Sequence, residues 1–174
     1  ITVYHNQFSD IIKPVLVDDV VPGITAFQPQ NTGKESNTGL EFEMRFQLSN
    51  QWQFHVGGDY VFDELQSQHL ANKHFFTNLD YRNENFTMNV KGRYVGKVIA
   101  RDAALANTQN TVTLNDYWLA DVNLRWRFST INIILNIENI FDKTYQSYNP
   151  QFGLEQGLPS RGIGINVGLE YIFK

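Results

Sequence analysis

Two residues of the sequence have the types of an acid–base pair. His55 and Asp59 are four residues apart in WQFHVGGDYVF, and an imidazole and a carboxylate can exchange a proton. The surrounding residues predict a strand, in which this spacing separates the two side chains by about 13 Å. That is too far for a hydrogen bond. We therefore expect two solvated polar side chains on one face of a strand.

Two further histidines, His69 and His74, flank a predicted loop and could bind a metal or a ferric chelate. Their spacing fits metal-site patterns only loosely. The sequence contains no cysteine, which excludes thiolate ligands and a catalytic thiol. It also contains neither a nucleophile with a spaced base nor a phosphate-binding glycine loop. We predict that the protein is not an enzyme and uses no cofactor.

The composition is unusual for a soluble domain. Of 174 residues, 18% are charged, whereas about a quarter is usual, and 14% are aromatic. The net charge of -4 provides no electrostatic footprint for nucleic acid, which we exclude as a partner. No run approaches the roughly 18 apolar residues of a transmembrane helix. No leader peptide precedes Ile1, so we expect the chain to be a piece of a longer protein.

The dominant pattern has a period of two. In 113–128, large apolar residues occupy most even positions and mainly polar residues the odd ones, so one strand face is apolar and the other polar. The same alternation recurs along the chain. In 1–12 it is irregular, and we leave the facing of that segment open. The pattern predicts an all-β fold of about eight antiparallel strands: 1–12, 25–48, 51–64, 73–82, 85–98, 112–128, 130–141 and 161–173.

The connections between these strands alternate in length. Short ones at 49–51, 82–85 and 128–130 alternate with long ones, as in an outer-membrane up-and-down β-barrel. The apolar faces run for about 9 to 12 residues, enough to cross a bilayer. We therefore predict a transmembrane antiparallel β-barrel segment rather than a soluble sandwich. An aromatic belt is expected beside the short turns, formed by Trp52, Tyr81, Phe86, Trp126, Phe128, Tyr171 and Phe173.

The last third of the chain carries a recognisable motif. NIENIFDKTY at 136–145, followed by LPSRGIGINVGLEYIFK at 158–174, resembles the C-terminal signature of TonB-dependent outer-membrane receptors. In that family an NLFDKxY element precedes a Pro-x-Arg element and a final strand that ends on an aromatic residue. NTGLEFEMRF and GRYVGK are also similar to the family. Lys174, after Phe173, departs from its usual ending.

The resemblance implies that residues 1–174 are the C-terminal third of a parent barrel of twenty-two strands, without its plug domain and earlier strands. It implies location in the outer membrane of a Gram-negative bacterium. It also implies active import of a scarce nutrient, above all a ferric siderophore or another iron chelate. The implied partners are outer-membrane lipid, the remaining strands and plug, the TonB complex through the absent N-terminal part, and a small-molecule nutrient.

Two groups of polar-face and loop residues become candidates on this basis. The charged residues and glycines of the predicted lumen are expected to form a solvated wall or to face the plug; the glycines could instead allow strand curvature. These wall residues are Glu41, Glu43, Arg45, Asp59, Asp121, Arg125, Glu138, Gly164 and Gly168. The candidates for contact with substrate are His69, His74, Lys91, Arg93, Tyr145, Tyr148 and Arg161.

Two alternatives stay open at this level. A free-standing eight-stranded outer-membrane barrel, acting as an anchor or adhesin, would suit the length of the chain. Such a small lumen is filled by side chains, however, and many inward positions here are glycines or charges. A passive porin-like channel would share the polar lumen, and only the motif series argues against it.

Overall fold

The computed structural model describes residues 1–21, 24–31, 33–62, 71–101, 111–147 and 158–173, and these ranges form β-strands and their connections. A helix long and apolar enough to span a membrane is absent from these ranges. The strands are β1 (Thr2–Phe8), β2 (Ile12–Val21), β3 (Ile24–Asn31), β4 (Glu35–Gln47), β5 (Trp52–Val61), β6 (Lys73–Arg82), β7 (Phe86–Val95), β8 (Val98–Arg101), β9 (Thr111–Leu114), β10 (Tyr117–Phe128), β11 (Ile131–Glu138), β12 (Gln146–Ser147), β13 (Leu158–Pro159) and β14 (Gly164–Tyr171).

Eight of these strands form one sheet in the order β1-β4-β5-β6-β7-β10-β11-β14. Every neighbouring pair is antiparallel, which confirms the predicted eight-stranded up-and-down arrangement. Strands β1 and β14 are the two edges of the sheet. A closed eight-stranded barrel would need these edges to pair, so the described residues form an open sheet instead.

The register places the apolar residues of successive strands directly opposite one another. Phe54, for example, lies between Phe46 on β4 and Leu79 on β6. Because opposed residues of an antiparallel pair share a face, the apolar positions form one continuous surface from β4 to β14, called here the apolar face. The other surface is called the polar face. The register also settles β1, since Val3 lies opposite Leu40 on the apolar face.

The short connections have local side-chain causes. The Ser49 hydroxyl accepts hydrogen bonds from the amides of Gln51 and Trp52, at 3.2 Å each. Asn83 Oδ1 accepts from the amides of Asn85 and Phe86, at 3.0 and 2.7 Å. Such side chains mimic a backbone turn and reverse the chain within a few residues. The strand ends that these connections join are together called the turn end of the sheet. The opposite ends of the strands are called the loop end.

The structure corrects the predicted bounds at the loop end. Segments 1–12, 25–48 and 112–128 were each expected to be one strand, but each is interrupted, at Asp10 (φ 58°), at Gly33 (φ 93°) and at 115–116. A left-handed backbone cannot continue a strand. The predicted loops also contain strand residues, because β2 pairs with β3, β8 with β9, and β12 with β13. The long connections are therefore partly hairpins that project beyond the sheet.

Candidate functional site

The polar face carries two imidazole–carboxylate pairs. His55 Nε2 lies 2.9 Å from Glu43 Oε1, and His74 Nδ1 lies 3.1 Å from Asp59 Oδ2. Each pair joins neighbouring strands, so His55 and Asp59 have separate partners, as their spacing along β5 requires. Arg45 donates to the same Glu43 oxygen at 2.8 Å. These pairs are accessible to solvent, and an acid–base reaction between His55 and Asp59 has no geometric support.

All nine predicted wall residues lie on the polar face. The register pairs acids with acids as well as with cations, since Glu41 is opposite Asp59 and Asp121 is opposite Lys91. Toward the last strands, Gly164 lies opposite Glu138, and Gly168 opposite Ile134. Side chains of the sheet itself therefore adjoin these two glycines. An added Cβ would lie 3.5 Å from the nearest atom at each position, which is ordinary van der Waals contact.

Two cations on β7 are not held in a salt bridge by the described residues. Lys91 and Arg93 are exposed on the polar face, two residues apart and therefore about 7 Å along the strand. Within the described part of the chain neither forms a salt bridge, although Arg45, His55 and His74 each contact a carboxylate. Their charges are thus available to an anion in the space that the polar face borders.

A row of side chains, all amides except one carboxylate, crosses the polar face from the turn end at Gln47 to the loop end at Asn166. Directly opposed residues of seven neighbouring strands form it: Gln47, Gln53, Asp80, Asn89, Asn123, Asn136 and Asn166. Asn89 donates to Asp80 Oδ1 at 2.7 Å, and Asn123 donates to Asn89 Oδ1 at 3.4 Å. Most of these residues line a concave region of about 520 Å³. The alternation predicts a polar face here, but only the register aligns the amides.

The motif region joins three strands at the loop end. Asn139, which is almost fully buried, donates its backbone amide to Asp121 Oδ1 at 2.8 Å. Its side chain bonds both the amide and the carbonyl of Lys143, at 2.9 and 3.0 Å. Asp142 Oδ1 accepts from the amide of Ile163 at 2.8 Å. These bonds tie the end of β11 to β10 and to the segment before β14, in a structure called here the Asn139 turn.

The remaining substrate candidates fall in different places. Tyr145 follows the Asn139 turn and stacks on Tyr117, with ring centroids 4.2 Å apart, while Arg161 is exposed before β14. His74 lies on β6, within the strand predicted at 73–82. His69 and Tyr148 lie outside the described residues. In the described ranges no group of three or more His, Cys, Asp or Glu side chains is arranged to hold a metal ion.

The apolar face carries the predicted aromatic belt beside the turn end. Neighbouring rings are in contact, with centroids 4.7 Å apart for Trp52 and Tyr81 and 4.8 Å for Phe86 and Trp126. Tyr171 and Phe173 are also 4.8 Å apart at the edge strand. Phe128, which is exposed, lies opposite Ile131, and Ile131 lies opposite Tyr171. The seven predicted residues thus share one face and one end.

A second aromatic row, which was not predicted from the sequence, lies near the loop end of the same face. Phe75 lies 6.1 Å from Phe42 and 5.9 Å from Tyr94, and Tyr94 lies 4.8 Å from Trp118, all between ring centroids. Trp118 and Trp126 are eight residues apart on β10, about 26 Å along the strand. Aromatic rows at both borders of an apolar band are typical of transmembrane barrels. The spacing of these two tryptophans is the signal that could have predicted it.

Comparison with known proteins gives a consistent result. A family model described as TonB dependent receptor-like β-barrel matches residues 1–140. The pesticin receptor of Yersinia enterocolitica is 23% identical over 154 residues, which cover 81% of this chain and 23% of the receptor. The chain therefore spans about a quarter of the length of the curated relatives it matches.

Solved structures have the same fold at low identity. The siderophore receptor PirA from Acinetobacter baumannii superposes with a TM-score of 0.73 at 15% identity, over 98% of this chain and 29% of that one. The copper transporter OprC gives a TM-score of 0.71 at 17% identity, over 98% of this chain and 28% of that one. At these identities the likeness concerns the fold alone.

Proposed function

This chain belongs to the TonB-dependent receptor β-barrel family, and from that membership we propose that it is the C-terminal part of the barrel of an outer-membrane receptor that actively imports a scarce nutrient. The parent barrel would have twenty-two strands around a plug domain. Energy would come from the TonB complex, acting through an N-terminal part outside this chain.

The observation that carries the proposal is the division of one open sheet into two chemically different faces. The apolar face is continuous over seven neighbouring strands and is bordered by aromatic rows, which suits contact with lipid. The polar face is lined by charged and amide side chains, which suits a water-filled lumen. Both edges of the sheet expose unpaired backbone groups and would be completed by further strands of the barrel.

The substrate that fits the polar face best is an anionic iron chelate. Lys91 and Arg93 offer two exposed cations, and Tyr145 adds a ring at the loop end, where a ligand from outside would arrive. Cationic side chains bind anionic groups through charge-assisted hydrogen bonds. A siderophore receptor and a copper transporter both have this fold, so the fold itself does not select iron over copper.

The proposal is tested by uptake in the host bacterium. We expect deletion of the gene to abolish import of one radiolabelled ferric siderophore during iron limitation, and loss of TonB to have the same effect. Import of copper should be unchanged. Uptake that persists without TonB would instead support a passive channel, and loss of copper import alone would replace iron as the cargo.

The role of the two cations has its own test in the intact receptor. Replacing both Lys91 and Arg93 by Gln should weaken binding of the imported chelate by at least about tenfold, because a hydrogen bond to a charged group contributes about 1.5–3 kcal/mol. Lys34→Gln removes one cation from an exposed position before β4 and serves as the control for each of the two replacements. Equal affinities in all three proteins would exclude Lys91 and Arg93 from the binding site.

A further inference from the structure

A groove is present on the apolar face near the loop end. It has a volume of about 390 Å³ and is lined by Leu40, Phe42, Asp59, Tyr60, Lys73 and Phe75. Gly58, opposite both Phe42 and Phe75, has no side chain to occupy this part of the face. A Cβ there would collide with the Phe75 ring and the His74 carbonyl oxygen. The Phe75 ring therefore covers Gly58 and forms one wall of the groove, with Leu40, Phe42 and Tyr60 around it.

One cation lies at the rim of this groove. Lys73 Nζ is 5.1 Å from the centroid of the Tyr60 ring, and the register places both residues on the apolar face. The carboxylate of Asp59 belongs to the polar face, where it pairs with His74. The groove thus combines an apolar floor with a single positive charge that no carboxylate in the described residues neutralises.

The position of Lys73 in the sheet sets its depth relative to the second aromatic row. Phe75 lies opposite Tyr94 in that row, and Lys73 is two residues nearer the loop end, about 7 Å along the strand. Aromatic rows of membrane barrels lie at the level of the lipid headgroups. The amine of Lys73 is therefore at phosphate level, while the groove extends from it toward the apolar band.

We propose that this groove binds one phosphate-bearing lipid of the outer leaflet, with an acyl chain against Leu40, Phe42 and Phe75 and a phosphate oxygen at Lys73. The inference rests on the membrane location in the proposed function. It adds a specific lipid site to the general contact between the apolar face and lipid. The cation and the apolar floor both contribute, so neither a neutral lipid nor free phosphate satisfies the site.

The site is tested on the intact receptor, purified in detergent and examined by native mass spectrometry. The probes are diphosphorylated lipid A, the same glycolipid without phosphate, and inorganic phosphate. We expect the wild-type protein to retain one molecule of diphosphorylated lipid A and to lose the glycolipid without phosphate. An excess of inorganic phosphate should not displace the bound lipid, because it cannot fill the groove.

Two variants separate the charge from the groove. Lys73→Gln should lower retention about tenfold through loss of the charged contact, and Leu40→Trp should lower it by filling the groove while Lys73 is still present. Lys34→Gln is the control and should retain lipid like the wild type. Equal retention by Lys73→Gln and wild type, equal retention of the dephosphorylated lipid, or displacement by inorganic phosphate would each overturn the site.

Chelate uptake by the same variants distinguishes a failure of the lipid site from a failure of the proposed function. Both groove variants should import the chelate at the wild-type rate, because the groove and the polar face are on opposite sides of the sheet. If uptake is normal and lipid retention shows none of these differences, the lipid site is wrong and the receptor function stands. If the intact protein is not found in the outer membrane, the proposed function itself fails.

Discussion

The Asn139 turn offers a quantitative test of how the motif region holds the last strand. Asn139→Ala removes both side-chain hydrogen bonds to the backbone of Lys143, each contributing about 1 kcal/mol. It also places Ala at a φ of 51°, which costs about 1 kcal/mol more than for Asn. The free energy for opening the turn should therefore fall by about 3 kcal/mol.

Hydrogen exchange in the intact receptor measures this local free energy. A fall of about 3 kcal/mol should accelerate exchange of the Lys143 amide about 100-fold. Asn139→Gly loses the same bonds without backbone strain. We therefore expect the free energy for opening the turn to fall by about 2 kcal/mol and exchange of the Lys143 amide to accelerate about 30-fold. The Ile163 amide, bonded to Asp142, should accelerate as well. The Phe86 amide at the turn end should be unchanged.

The comparison among variants determines whether the reasoning holds. Asn139→Asp retains the acceptor for the Lys143 amide and tolerates the left-handed backbone, so its effect should be the smallest of the three. Wild-type exchange at Lys143 in Asn139→Ala would show that the side chain does not hold the turn. Equal exchange in the Ala and Gly variants would refute the contribution of backbone strain.

Two further predictions concern packing and facing in the intact receptor. Gly58→Ala should destabilise it by about 1–3 kcal/mol, because the new Cβ meets the Phe75 ring, whereas Gly168→Ala should fit and leave the thermal midpoint within error of the wild type. Similar midpoints for these two variants would contradict the close approach at Gly58. Val90→Lys puts a charge in the middle of the apolar face and should cost about 2–4 kcal/mol, lowering the folded fraction seen by heat-modifiable migration. Asn89→Lys, one residue away on the polar face and opposite the carboxylate of Asp80, should cost less than Val90→Lys; the opposite order would reverse the two faces.

The sequence predicts the eight-stranded sheet well because each of its strands meets two different surroundings. An alternation such as that of Phe46 and Gln47 follows directly from this requirement. In the hairpin of β2 and β3, most of β2 was predicted to be a loop, because its sequence IKPVLVDDVV does not alternate. Segments that project beyond the sheet need no apolar face, so the period that identifies strands is absent from them.

The candidate site was less predictable because its contacts depend on register. The alternation places His74 and Asp59 on accessible faces. Their 3.1 Å contact exists only because β5 and β6 pair in the register that puts Asp59 opposite His74. Register follows from turn geometry and cross-strand packing, which single-strand patterns do not encode. The same limit applies to Asn139: resemblance identifies its motif, whereas its partner Asp121 becomes visible only when β10 and β11 are placed side by side.

The distribution of polar groups along the height of the sheet links the two proposed roles of the polar face. Covering a charge without a partner is costly, whereas amides offer donors and acceptors to a polypeptide backbone at no net charge. The row from Gln47 to Asn166 consists of amides apart from Asp80, whose carboxylate accepts a hydrogen bond from Asn89, and we propose it as the part of the wall best suited to contact with a plug. Lys91 and Arg93 lie nearer the loop end and would remain charged and hydrated until an anionic ligand displaced their water. We therefore propose that a substrate and a plug would contact different residues of the same face.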